Sequence, residues 1–186
     1  MSLLCAAQSS QLAVIDVQTR LATAMPPAAR EQVLRNAGIL LQAATLLDIP
    51  ITLTEQYPQG LGATDESLRA RLPAGQAAIC KTCFSSAGAD DFNARIDSHA
   101  GRHQLILAGM ETHVCVLQTA MDMLGRGYQV FIAEDAVSSR SEANRQNALA
   151  RLRTAGAVLS NTESIVFEWL RDAKHPQFKA ISALIK

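Results

Sequence analysis

Short apolar runs alternate with helix-periodic stretches along this chain, and that alternation limits what it can fold into more than any other feature. Leu12 to Val17 (LAVIDV) is almost continuously apolar, as expected of a strand buried on both faces. Similar runs recur at Pro50 to Thr54, Ala77 to Cys80, Gln104 to Ala108, Gln129 to Ala133 and Ala157 to Leu159. Between the first two lies a helical stripe of Val33, Ala37, Leu40, Ala44 and Leu47, after a Pro-containing loop at Met25-Pro26-Pro27. Helical patterns also cover Asp65 to Leu72, Ala89 to His99, His113 to Leu124, Glu142 to Ala155, Ser164 to Asp172 and Pro176 to Lys186. Strands separated by helices pair in parallel, because parallel neighbours need crossover connections. The fold expected is α/β: a single doubly wound domain over residues 1–186, with a six-stranded parallel sheet flanked by helices.

Charge and cysteine usage narrow the function classes. Lys plus Arg and Asp plus Glu number 17 each, so no basic excess points to nucleic acid. No apolar run approaches the roughly 20 residues that span a bilayer. The segment MSLLCAAQSSQ has neither the basic start nor the long apolar stretch of a signal peptide. A cytoplasmic location, no membrane partner and reduced thiols at Cys5, Cys80, Cys83 and Cys115 are the resulting expectations.

In open parallel sheets, sites form beyond the carboxyl ends of the strands. The polar residues there are Asp16, then Glu55, Gln56 and Tyr57, then Lys81, then Glu111, Thr112, His113 and Cys115, then Glu134 and Asp135. Each has an ordinary structural reading. Asp16 reads equally well as a strand-end carboxylate bonded to backbone amides and as a catalytic group. Lys81 alone reads as a loop lysine, and Cys115 alone as a small core residue. Together at one sheet edge, the carboxylate and ammonium neutralise each other, and a thiol near a helix start is favoured as thiolate.

Other motifs exclude more than they suggest. Asp16-Val17-Gln18 stands where a glycine-rich dinucleotide turn belongs. His99, His103, His113 and His175 form no recognised metal motif. Cys80-Lys81-Thr82-Cys83 is a C-x-x-C motif. It leaves a thiol redox protein as an alternative, although it does not follow an early strand as in thioredoxin-like proteins, and two structural cysteines is the simpler account.

Several segments, in order, resemble the isochorismatase-like cysteine hydrolases, a superfamily that includes nicotinamidases, N-carbamoylsarcosine amidases and ureidoacrylate amidohydrolases. They are Leu12 to Gln18 (LAVIDVQ), Thr54 to Gly62 (TEQYPQGLG), Lys81 to Ser85 (KTCFS), Leu107 to Val116 (LAGMETHVCV), Asp135 to Arg140 (DAVSSR) and His175 to Lys179 (HPQFK). Within that superfamily the chain looks most like the isochorismatase domain-containing branch. The resemblance implies a Rossmann-like fold and a catalytic triad of Asp16, Lys81 and Cys115. It also implies an oxyanion hole from the backbone N–H groups of Glu111 and Cys115, with a cis peptide between Met110 and Glu111.

The chain departs from the metal-binding nicotinamidases, which carry Asp-x-His after the second strand. Here the residues are Glu55-Gln56-Tyr57, so no metal and no other cofactor is expected. The resulting reading is a cysteine-dependent amidohydrolase of a small-molecule amide or carbamoyl C–N bond, acting through a thioester and assembled as a homo-oligomer. A non-catalytic binding protein on the same fold is a further alternative. Gln18, Glu55, Tyr57 and Phe84 are the substrate-pocket candidates. The segments Thr19 to Arg30 and Tyr57 to Thr64 read as the loops that set specificity.

Overall fold

The computed structural model describes residues 4–73 and 75–186; the expectation for the first three residues of the N-terminal segment lies outside them. Six strands form one parallel sheet: β1 (Ser10–Ile15), β2 (Ile51–Gln56), β3 (Ile79–Lys81), β4 (Gln104–Met110), β5 (Gln129–Ser138) and β6 (Val158–Ser160). Their spatial order is β3-β2-β1-β4-β5-β6, with parallel pairing throughout. The order reverses between β1 and β4, which makes the carboxyl ends of those two strands the crevice of the sheet.

Alternation within β1 explains the apolar run. Leu12 and Val14 enter one core with Ile106 and Ala108 of β4, against helix α2 (Pro27–Leu46) and the late helix α8 (Thr162–Leu170). Ala13 and Ile15 enter the other with Leu105 and Leu107, against α5 (Asp90–Asp97), α6 (Leu117–Gly125) and α7 (Glu142–Thr154). Both faces are covered, so neither parity tolerates polar side chains along the strand body. In α2, Val33, Ala37, Leu40 and Ala44 are buried as the stripe predicts, while Leu47 caps the helix, and Pro27 stands at its first turn, where a missing N–H costs nothing.

The structure corrects several element boundaries. β1 stops at Ile15, so Asp16 sits just past the strand with a left-handed backbone (φ 51°). The two segments read as loops each contain a short helix, α1 (Thr19–Thr23) and α3 (Pro58–Leu61), tied together by an antiparallel bridge between Gln18 and Thr64. A further short helix, α4 (Glu66–Arg69), is capped by the Asp65 side chain, and the C-terminal helix α9 spans only Phe178–Ser182. β5 runs five residues beyond Ala133, because its pairing with β4 shifts register between Leu107 and Gly109. The polar pair Glu134-Asp135 occupies that irregularity, where Asn36 Nδ2 donates to the Asp135 carbonyl at 2.9 Å and Arg145 holds the carbonyls of Glu134 and Val137. Among the described residues, no helix is long and apolar enough to cross a membrane.

β1 and β4 meet closely at the crevice. Gly109 has φ 124°, and a Cβ there would lie 2.0 Å from the Ile15 carbonyl oxygen. Only glycine fits, for both conformation and space. Gly109→Ala is expected to lower stability by more than about 4 kcal/mol or to prevent folding. Gly125→Ala, a helical position with open space around it, should be neutral or mildly stabilising. Urea denaturation of both variants checks this; a Gly109→Ala protein as stable as the parent overturns the close-approach argument.

Candidate active site

The crevice is built by three chain segments. Asp16 follows β1, Lys81 ends β3, and Cys115 lies in a π-helical turn (Thr112–Val116) between β4 and α6. The side chains of Asp16 and Lys81 are wholly buried, and Cys115 is 5 % exposed. Lys81 Nζ donates to Asp16 Oδ2 at 2.7 Å. A charge pair this deep is tolerable only if the remaining polar valences are also met. They are: the Thr54 hydroxyl donates to Asp16 Oδ1 at 2.7 Å. Lys81 Nζ also reaches Gln56 Oε1 at 2.7 Å and the carbonyls of Phe84 at 3.1 Å and Cys83 at 3.2 Å.

The Cys115 thiol is near enough to both members of the pair to respond to their charges. Burial, and secondarily the negative charge of Asp16, push its pKa up to about 12, against the opposing pull of Lys81. This corrects the expectation that the helix start would favour the thiolate. Desolvation is the largest influence on this thiol, and it favours the protonated form. The peptide between Met110 and Glu111 is cis. The Glu111 carboxylate accepts from the Arg140 backbone N–H at 2.9 Å and from Arg140 Nε at 3.1 Å.

The four pocket candidates divide. Gln18 is completely buried, and its amide bonds to backbone: Nε2 donates to the carbonyls of Gln56 and Gly62, while Oε1 accepts from the Gln56 N–H. It braces the walls of the site. Glu55 also departs from expectation. Strand alternation turns it away from Thr54 and Gln56, and its Oε1 accepts from both the N–H and the hydroxyl of Thr64 at 2.7 Å. It lines a separate cavity of about 200 Å³ with Leu53 and Arg69. Tyr57 and Phe84 are each 55 % exposed. Tyr57 lines a cavity of about 520 Å³ that borders the Lys81 strand and includes Cys80, Cys83 and Asp91.

Sequence reasoning passed over Thr54 and Gln56 as partners of the ion pair. Strand alternation puts the two on one parity at the carboxyl end of β2, opposite to Glu55, but which parity faces the ion pair is set by the register of the sheet. Cys80-Lys81-Thr82-Cys83 spans the end of β3 and the bend after it, and a short 3-10 turn (Ser86–Gly88) follows, not the helix N-terminus of a thioredoxin-like site. His113 turns aside: Nδ1 bonds Ser139 Oγ at 2.9 Å and Nε2 lies 3.4 Å from Asn144 Nδ2.

The thiol's two neighbours have opposite effects, which gives a signed expectation. In Asp16→Asn the negative charge that raises the thiol pKa is gone, while the Lys81 charge that lowers it stays. The Cys115 pKa should therefore fall by about 1–3 units. The midpoint of iodoacetamide alkylation against pH, followed by mass spectrometry, reads the shift; an unchanged or higher midpoint would show that Asp16 does not act on this thiol.

Comparison with known proteins agrees with this geometry. The isochorismatase domain model matches residues 10–164. The mouse isochorismatase domain-containing protein 2A is 43 % identical over 179 residues, covering 96 % of this chain and 84 % of the relative. Among solved structures, a Caenorhabditis elegans protein described as MAR1 ribonuclease superposes with a TM-score of 0.91 at 35 % identity, covering 98 % of this chain and 92 % of its own. YcaC from Pseudomonas aeruginosa, described with hexane-2,5-diol and covalent acrylamide, has a TM-score of 0.91 at 25 % identity, covering 99 % and 92 %. The sheet, its strand order and the match across most of the chain lead to one conclusion: this chain belongs to the isochorismatase domain family, a hydrolase family.

Proposed function

We propose that the chain is a cysteine-dependent hydrolase of a small-molecule amide or carbamoyl C–N bond, with Asp16, Lys81 and Cys115 as its catalytic residues. The observation that carries this reading is the buried Asp16–Lys81 pair, beside which the buried Cys115 thiol feels both charges. Moving the thiol proton to Asp16 leaves the net charge of the trio unchanged. The Lys81 ammonium then faces the new thiolate as it had faced the carboxylate. That proton transfer lets a thiol with a raised pKa act as nucleophile without carrying free negative charge in a dry site.

The chemistry follows from the placement. The Cys115 sulfur attacks the carbonyl carbon as its proton passes to Asp16, and the C=O electron pair moves onto oxygen. The N–H groups of Glu111 and Cys115 serve as its oxyanion hole. When the C–N bond breaks, Asp16 returns the proton to the leaving nitrogen. Water then adds to the thioester and gives a proton to Asp16; the C–S bond breaks, and sulfur is reprotonated. Tyr57 and Phe84, exposed beside the Lys81 strand, are the side chains offered to a substrate. The covalent acrylamide of the Pseudomonas aeruginosa neighbour, an amide-bearing molecule, supports amide-sized ligands at this fold. The same reading takes the protein as cytoplasmic, metal-independent and self-associating.

A ribonuclease reading comes from the description of the Caenorhabditis elegans neighbour. The balanced charge of this chain and the burial of Lys81 favour an acyl carbon over a polyanionic backbone.

A panel of small amides and carbamoyl compounds, with ammonia release as readout and an RNA arm alongside, tests the proposal. Cys115→Ser should fold and lose all turnover, since a serine hydroxyl is far harder to ionise. Asp16→Asn should lose turnover although its thiol titrates lower, because no acid remains for the leaving nitrogen. Lys81→Ala should be strongly impaired and His113→Ala only mildly. Full activity in Asp16→Asn, or Cys115-dependent cleavage of RNA with no amide accepted, overturns the assignment.

A further inference from the structure

Two contacts join the nucleophile turn to the segment just after β5. The Glu111 carboxylate, 7 % exposed, holds the Arg140 N–H and Nε, and His113 Nδ1 meets Ser139 Oγ. The Glu111 carbonyl accepts from Val114 N–H at 3.0 Å and from Val116 N–H at 3.3 Å, so its C-terminal side is fixed by the turn. On its N-terminal side, Met110 pairs with Ser138 at the end of the β4–β5 ladder. The side chain of Glu111 points out of the turn, although it stands at the position where a polar residue ordinarily caps a helix, and it makes no capping bond. A carboxylate this buried would be costly without its cation. Arg140 is the cation, with a side chain that is 63 % exposed and therefore low in desolvation cost.

Resting on the thioester reading, we propose that the Glu111 carboxylate and Arg140 form a bracket that positions the Glu111 N–H for the oxyanion. Glu111 then serves the reaction twice, with its backbone as donor and its side chain as the anchor of that donor. Arg140 is a positioning residue. It acts through Glu111, and loss of its side chain leaves the buried carboxylate on the Arg140 backbone N–H alone, a looser anchor for the peptide.

Two reactions of the same thiol separate this role from general damage to the site. Iodoacetamide alkylates by displacement at a saturated carbon: the S–C bond forms, iodide leaves, and no oxyanion arises. p-Nitrophenyl acetate acylates: the S–C bond forms at a carbonyl, the C–O bond breaks, and p-nitrophenolate leaves after an oxyanion has formed. Glu111→Ala should slow acylation by about 100-fold, the usual cost of one oxyanion donor, and leave alkylation within about twofold. Arg140→Ala should slow acylation by about 10-fold, since the backbone N–H still holds the carboxylate, and Arg140→Lys should recover part of that loss. Glu111→Gln, which keeps shape and one acceptor, secures the measurement if Glu111→Ala does not fold, and it should act in the same direction. Acylation and alkylation falling together, or acylation unchanged in Glu111→Gln and Arg140→Ala, would overturn the bracket. Parent Cys115 that alkylates yet never acylates would overturn the thioester reading itself, and the bracket with it.

Discussion

A carboxylate and an ammonium held 2.7 Å apart, with no exposure of either side chain, set the requirements that the surrounding structure meets. The Coulomb attraction between Asp16 and Lys81 does not by itself offset the loss of water around two ions. Each further lone pair and hydrogen has to find a partner inside the protein. This explains why β2 ends in Thr54 and Gln56 rather than in apolar residues, and why the bend after β3 turns the carbonyls of Cys83 and Phe84 inwards. Gln18 extends the network by tying the end of β2 to the segment around Gly62. The polar residues at this edge form one connected arrangement, and removing one member leaves a neighbour buried without a partner.

Topology brings that arrangement to Cys115. β1 and β4 are adjacent where the strand order reverses, so the residue after β1 and the turn after β4 face each other across the crevice. Lys81 comes from two strands away and bridges β2 with its long side chain. The glycine at 109 lets the two central strands approach as closely as they do, with the Ile15 carbonyl in the space a side chain would take. The left-handed backbone of Asp16 then turns its carboxylate out of strand alternation and into the site.

The thiol shows how burial and charge divide the work. Water exclusion raises the pKa of Cys115 more than either charged neighbour does. A site of this kind favours the protonated thiol. A thiol made reactive by exposure or by a helix dipole would be ionised at rest. Cys5 illustrates burial without such an arrangement: its thiol is likewise pushed up, with Glu168 beside it, and the Arg171 guanidinium opposes the shift only weakly.

The order of amino acids alone makes the sheet, the helices on both faces and the cluster of polar residues at the carboxyl edge legible, since the periodicity of apolar residues is a local property that burial imposes on every strand and helix. It also carried the family motifs in order, Leu12 to Gln18 through Leu107 to Val116. It did not reveal which of Glu55 and Gln56 faces the ion pair, because that depends on where β2 stops and on its parity relative to Ile15 and Lys81. Nor did it show that Gln18 is a brace, that Arg140 sits on Glu111, or that β5 continues past Glu134-Asp135. Those outcomes belong to the tertiary structure: a buried polar group is assigned its role by whichever donors and acceptors the fold brings within about 3 Å, and these come from segments far apart in the chain.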